Sequence, residues 1–276
     1  MTAASSTTAN RAMPRVLAKV MRYELSDVVR SRWLSSYTLF FLLLTEVILR
    51  FSGSTANALA SLVTVVQIII PLVNVVFGTM YLYNAREFTE LLLAQPVDRR
   101  QLFGGIYLGL TLPLSLGFAL GVTVPFALHG VDDPAQRTTV GLLIGVGIAL
   151  SFAFTGIAFL LALRIEDKAK ALGAAIGIWL LTTVLYDGLV VLLTAMFADN
   201  PIERPLIALM FLNPVDLARV LLVLRLDESA LMGYTGAVFK NFFGHTAGTT
   251  LALLTLSVWA VAPALAARRT FRRKDF

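Results

Sequence analysis

Thr138–Leu163 reads TTVGLLIGVGIALSFAFTGIAFLLAL, 26 consecutive residues without one charge. A helix needs about 20 mainly apolar residues to cross the hydrocarbon core of a bilayer. That core offers no water to an exposed amide, so a run of this length is viable there as a helix. Five further stretches read the same way: Ser36–Ser52, Ala58–Tyr83, Leu102–Leu128, Ala171–Phe197 and Ala247–Ala267. The expected fold class is therefore an all-α integral membrane protein with six transmembrane helices.

Composition agrees. Of 276 residues, 57% are hydrophobic and 14% are charged, with a mean hydropathy of +0.78. About a quarter of a soluble domain is charged. No polar stretch is long enough to build a separate soluble core, so residues 1–276 are expected to form one membrane domain. There is no cysteine, which excludes disulfides, thiolate chemistry, Cys-ligated zinc and iron–sulfur clusters. About 35 mostly polar or basic-amphipathic residues precede the first span, which does not read as a cleavable signal peptide.

The net charge of +6 is explained by where the basic residues fall. Arg11, Arg15, Lys19, Arg22, Arg30 and Arg32 lie before span 1; Arg86, Arg99 and Arg100 follow span 2. Arg164, Lys168 and Lys170 follow span 4, and Arg268, Arg269, Arg272, Arg273 and Lys274 follow span 6. Seventeen of the 23 basic residues thus share one face of a six-span arrangement. The positive-inside rule makes that face, with both termini, cytoplasmic. No nucleic-acid motif or aromatic-interleaved basic stripe is present, so no nucleic-acid partner is expected.

Several local features stand out. Residues 1–35 form a cytoplasmic arm, in which Met13–Trp33 alternates apolar and charged residues as a helix on the membrane surface does. Glu46 and Arg50 are four apart in span 1 and can pair, either as a structural contact at the outer interface or as part of an outer gate. Span 2 carries Gln67, Pro71 and Asn74, which fit either a pathway wall or helix–helix contact. Tyr186 and Asp187 lie inside span 5, and a carboxylate within an apolar run is a pathway or gating candidate by default, or a buried hydrogen-bonded contact. Glycines recur at four-residue spacing at Gly105/Gly109, Gly117/Gly121, Gly141/Gly145 and Gly173/Gly177, which allows helix backbones close approach. The nearly fifty residues of 198–246 face outward and are not linker-like. Asn213-Pro214-Val215-Asp216 has the cap, first-turn proline and first-turn acid of a helix start. One or two extra outer-face helices are expected there between spans 5 and 6; the alternative is a poorly inserted seventh segment, which with span 6 would reverse the C-terminus, and the five basic residues of the tail oppose that reversal.

There is no G-x-x-x-x-G-K-[ST], H-E-x-x-H or G-x-S-x-G. His129 and His245 are isolated, and no metal site or catalytic residue is expected. The segment 84–101, NAREFTELLLAQPVDRRQ, is a short amphipathic helix running into Pro96, a turn, and a basic helix entry. It suits a cytoplasmic surface that docks into a partner's groove.

The pattern REFTELLLAQPVDRRQLF between spans 2 and 3 resembles the coupling segment of ABC-2 type permeases. YELSDVVRSRW before span 1, Tyr186-Asp187 in span 5 and FLNPVDLARVLL at Phe211–Leu222 resemble, within that family, the permeases of nitrous oxide reductase maturation. In one departure, Glu87-Phe88-Thr89-Glu90 stands where that branch has an E-x-G-T run. The resemblance implies a bacterial inner-membrane protein that works as a homodimer in membrane lipid. It implies a cytoplasmic ATPase dimer that binds ATP and Mg, this chain itself holding no cofactor. It also implies a periplasmic accessory protein, and a sulfur species passed outward for copper–sulfur cluster assembly. ATPase coupling is then expected at Arg86, Glu87, Glu90, Pro96, Asp98, Arg99 and Arg100, helped by Arg164, Glu166, Asp167 and Lys168 in the second cytoplasmic loop. Outer docking is expected at Asn213, Pro214, Asp216 and Arg219, and a pathway or gate at Glu46, Gln67, Asn74 and Asp187. Two other classes compete: an exporter subunit for another small molecule, lipid or glycan, and a non-transport role. The latter is either a membrane enzyme built on His129, Asp132 and Asp133 or an assembly scaffold.

Overall fold

The computed structural model describes residues 32–93, 98–131, 133–197, 203–226 and 246–274. Most of the N-terminal surface helix, together with Pro96, Asp132 and His245, lies outside the described residues. Among those described there is helix and no strand. The six spans are α1 (Arg32–Phe51), α2 (Thr55–Asn84), α4 (Arg99–His129), α5 (Pro134–Arg164), the run α6 (Lys168–Leu180) to α7 (Tyr186–Met196), and α10 (Thr246–Arg273). The short α3 (Arg86–Leu93) links α2 to α4. Two extra helices, α8 (Glu203–Leu212) and α9 (Pro214–Val223), stand between the fifth and sixth spans.

Local chemistry sets the helix starts. Ser54, Asp98, Asp133, Asp167 and Asn213 each accept a backbone N–H of the first turn with the side chain, satisfying donors that have no partner within the helix. Proline occupies the first position of α5 and α9, where its missing N–H costs nothing. Asp98 and Asp167 are thus occupied as caps, at residues the sequence nominates for ATPase contact.

α5 is the central post. It packs against α10, α2 and α4, while α1 lies on α4 and α6 lies on α2. In its most apolar stretch 67% of residues are buried, against 11% in the fifth span and 17% in α1 and α10. Three spans therefore keep broad faces uncovered within one chain. The close approaches are made by small residues. A Cβ on Gly121 would sit 2.6 Å from Phe41 Cβ and 3.1 Å from the α1 backbone; one on Gly156 would sit 2.8 Å from the Ala264 backbone nitrogen of α10.

α8 and α9 meet at 112°, as a broken span or a re-entrant loop does. α9 is wedged between α2, α5 and α10, with Val215, Leu217, Ala218 and Leu222 fully enclosed. The fifth span is also irregular. Leu181–Leu185 is a single π turn, in which the Tyr186 N–H reaches back five residues to the Leu181 carbonyl. Such turns widen a helix locally and recur at functional sites.

Candidate functional site

The π turn and the start of α9 face one another, and a polar cluster joins them. Asn213 caps α9 by accepting the Val215 N–H at 3.1 Å, and its Nδ2 donates to the Thr182 carbonyl in the π turn at 2.7 Å. Tyr186 Oη donates to the Leu209 carbonyl of α8 at 2.6 Å. On α10, Trp259 Nε1 donates to the Phe211 carbonyl at 3.1 Å. These bonds satisfy backbone groups freed at the α8–α9 bend, as irregular backbone at membrane depth requires.

At the centre is Arg219. Its Nη1 donates to Asp187 Oδ2 at 2.5 Å, and its Nε donates to Gln67 Oε1 at 2.9 Å. Asp216, one turn earlier on α9, lies 3.7 Å from the same Nη1. Asp216 is almost fully enclosed, and neither of its carboxylate oxygens has a hydrogen-bond partner among the described residues; nor has Gln67 Nε2. Gln67 is twelve residues into α2, about 18 Å from that helix's N-terminal end. The cluster therefore lies in the apolar layer, where a single charge costs about 2.5–3.5 kcal/mol. One cation faces two carboxylates, one bonded and one waiting. The arrangement can hold Arg219 on Asp187, and can receive it on Asp216 after a small side-chain movement.

Gln67, Asp187, Asp216 and Arg219 are all nominated by the sequence, but for separate roles. Gln67 and Asp187 stand as pathway or gate residues; Asn213, Pro214, Asp216 and Arg219 stand as outer docking residues. The structure joins both sets in one place. Asn213 and Asp216 are 1% and 2% exposed, and Pro214 is buried, so their side chains face the bundle and present nothing to an outer partner. The physical reason is the break after Leu212, which turns α9 back into the protein. An arginine on a short apolar helix was the available signal for this, since it needs a carboxylate partner in that environment.

The remaining candidates are held otherwise. Asn74 is fully buried between α2 and α5: its Nδ2 donates to the Ile70 carbonyl at 2.8 Å and to Ser151 Oγ at 3.4 Å, and its Oδ1 accepts Thr155 Oγ1 at 3.1 Å. Glu46 accepts Arg50 Nε at 2.6 Å and lies 3.5 Å from His129, tying α1 to the end of α4. His129 is thus held against Glu46, and Asp133 is occupied in capping α5. Among the described residues no three His, Cys, Asp or Glu side chains gather to hold a metal.

The ends of α2, α4, α5 and α10 that the sequence expects to be cytoplasmic are tied together. Tyr83 Oη donates to the Ile165 carbonyl at 2.5 Å, and Lys168 Nζ donates to Asn84 Oδ1 at 3.0 Å, so the second loop braces the start of the coupling segment. Arg99 Nη1 donates to the Lys274 carbonyl at 2.8 Å, and Lys274 Nζ donates to the Leu163 carbonyl at 2.8 Å. Partial burial, with Arg86 nearby, holds the Lys274 ammonium below the usual lysine range, and Glu166 opposes this. On α3, Arg86 pairs with Glu90 at 3.1 Å while Leu91 is 70% exposed. The side chains of Glu87, Arg100, Arg164 and Glu166 make no hydrogen bond or ion pair among the described residues.

Comparison with known proteins bears on the whole chain. Residues 18–276 match the family described as ABC-2 family transporter protein. A protein of Pseudomonas aeruginosa named probable ABC transporter permease protein NosY is 28% identical over 275 residues, covering 94% of this chain and 98% of the relative. One of the same name from Stutzerimonas stutzeri is 26% identical over 274 residues, covering 92% and 97%. Six apolar spans, a braced linker between the second and third of them and a family match across nearly the full length lead to one conclusion: this chain belongs to the ABC-2 transporter family, as a multi-pass membrane permease subunit that works with an ATPase partner.

Proposed function

We propose that two copies of this chain form the conduit of an inner-membrane exporter with both termini cytoplasmic, and that the Arg219–Asp187 pair is its gate. The observation carrying this reading is that pair, bonded at 2.5 Å across a helix break and a π turn at membrane depth. Asp187 keeps 36% of its side chain exposed in a single chain. A carboxylate turned to lipid is costly, so a second copy or a water-filled path must cover it. The fifth span supplies the rest of that face. Gly173, Gly177 and Gly188 meet no neighbouring atom within 4 Å, as small residues awaiting a partner helix do.

The coupling segment receives the ATPase. Its exposed Leu91 and the unpaired charges of Glu87 and Arg100 supply an apolar anchor and a polar rim. ATP and Mg belong to that partner, and this chain has no catalytic role. The names of the relatives support a cargo in nitrous oxide reductase maturation, and the sequence resemblance makes it a sulfur species for the copper–sulfur cluster. The periplasmic accessory protein implied by the same resemblance would meet residues other than Asn213, Pro214 and Asp216.

The test is complementation of a strain lacking this chain. Arg219→Gln and Leu91→Glu should each lower reductase cluster content about tenfold, the first with ATPase binding retained and the second with it lost. An intact cluster in the deletion strain would defeat the cargo assignment. Full transport by Arg219→Gln would defeat the gate.

A further inference from the structure

Between the cytoplasmic ends of α5 and α10 lies an open cavity of about 540 Å³. Its polar lining is Arg164, Arg269, Thr270, Arg273, Lys274 and Glu166, and its apolar wall is Leu163 and Ala266. Four cations thus face one carboxylate. The side chains of Arg164, Arg269 and Arg273 are exposed and make no hydrogen bond or ion pair among the described residues.

Two helices end here, and a helix C-terminus carries about half a negative charge, which opposes an anion. That opposition is already met. Arg99 covers the Arg272 carbonyl at the end of α10 at 3.4 Å and the Lys274 carbonyl just beyond it at 2.8 Å, and Lys274 covers the Leu163 carbonyl of α5 at 2.8 Å. The three arginines are left over, with only Glu166 against them among the described lining residues. Guanidinium groups match phosphate oxygens in bidentate geometry, and the volume lies in the range of about 300–1,000 Å³ that holds small ligands. The apolar wall continues into the α5 and α10 surfaces of the bilayer layer, where Leu265 is exposed. Free phosphate would use the arginines and leave that wall idle. A phospholipid would use both, and basic pockets between spans at the cytoplasmic leaflet suit anionic headgroups.

We infer that this cavity is a binding site for the phosphate headgroup of an anionic phospholipid, which seats the α5 and α10 ends beside the coupling segment. The inference rests on the orientation proposed above, and not on the cargo or the gate.

The full-length chain with its ATPase partner, in nanodiscs of phosphatidylcholine with and without phosphatidylglycerol, is extracted and its retained lipid measured by native mass spectrometry. The wild type should retain phosphatidylglycerol in preference to phosphatidylcholine. The triple variant Arg164→Gln, Arg269→Gln, Arg273→Gln should lose that preference by about 100-fold, given the contribution of each basic group at the leaflet. The single variants should each lose about fivefold, and they carry the comparison where the triple variant fails to assemble. Equal retention by wild type and variants would overturn the inference. So would stabilisation by inorganic phosphate with no lipid retained, which marks a soluble-anion site. Loss of the ATPase with lipid retention unchanged would assign the arginines to the protein partner and also overturn it. Orientation is checked separately, in this cysteine-free chain, with Ala169→Cys, which an impermeant thiol reagent should leave unlabelled in spheroplasts. Labelling at Ala169→Cys would overturn the orientation, and the lipid inference with it.

Discussion

At the residue scale the question is why an enclosed carboxylate without a hydrogen bond survives at Asp216. A buried carboxyl held at 3.7 Å by one shared guanidinium is poorly compensated in its charged form, because the cost of desolvating that charge exceeds what the contact returns. Asparagine has nearly the same shape and no charge. Asp216→Asn is therefore expected to leave thermal stability unchanged or raise it. Asp187→Asn should lower it by about 2 kcal/mol, below the usual 3–5 for a buried pair because part of this pair is exposed. The two variants should differ in the opposite sense to a common structural role. If Asp216 receives Arg219 during the cycle, Asp216→Asn folds well and transports poorly. A destabilised Asp216→Asn with full transport would refute the exchange and make Asp216 a packing residue. Gln67, Asp187, Asp216 and Arg219 were each legible in the sequence as polar residues worth a role, while Thr182 and Trp259 were not. The meeting of those four was not legible, because Gln67 and Arg219 are 152 residues apart and nothing local encodes the 112° bend that joins them.

At the scale of elements, span periodicity was the easy part, since length and hydropathy alone define six membrane helices. The cap chemistry of Asn213-Pro214-Val215-Asp216 also placed the α9 start correctly. What hydropathy could not supply is depth, because an apolar ten-residue helix suits an interface and a buried wedge equally well. The glycine spacing divides in the same way. Gly121 touches α1, while a Cβ on Gly177 of the same four-residue pattern would meet no atom within 4 Å among the described residues. Alanine normally favours a helix over glycine by about 1 kcal/mol. At Gly121 the added methyl would collide with Phe41 and the α1 backbone, at a cost of about 1–3 kcal/mol. The net expectation for Gly121→Ala is loss of stability and looser α1, seen as a lower melting temperature in detergent. Gly177→Ala should gain the propensity and keep or raise the monomer's stability. Equal melting shifts in both would show that the α1–α4 contact tolerates a wider spacing.

At the scale of the molecule, the division between covered and uncovered spans is the main fact. α5 is enclosed, whereas the fifth span is bare over most of its surface and carries Asp187 on the way. Lipid suits the leucines of that surface; it does not suit the carboxylate. A second copy solves both problems when the fifth spans pack against one another, bringing Gly173 and Gly177 into close contact and placing two Arg219–Asp187 pairs around one central path. The chain lacks cysteine, so a single introduced thiol reports that contact cleanly. A disulfide forms only when Cα atoms lie about 4.4–6.8 Å apart. Gly177→Cys in native membranes is expected to give a dimer on mild oxidation, and Gly141→Cys, on the α5 surface, is expected to give none. ATP with the ATPase partner present should lower the yield at Gly177→Cys if the gate opens by separating the fifth spans. Cross-linking at Gly141→Cys alone would move the dimer contact to α5 and leave Asp187 facing a path within each copy rather than between two.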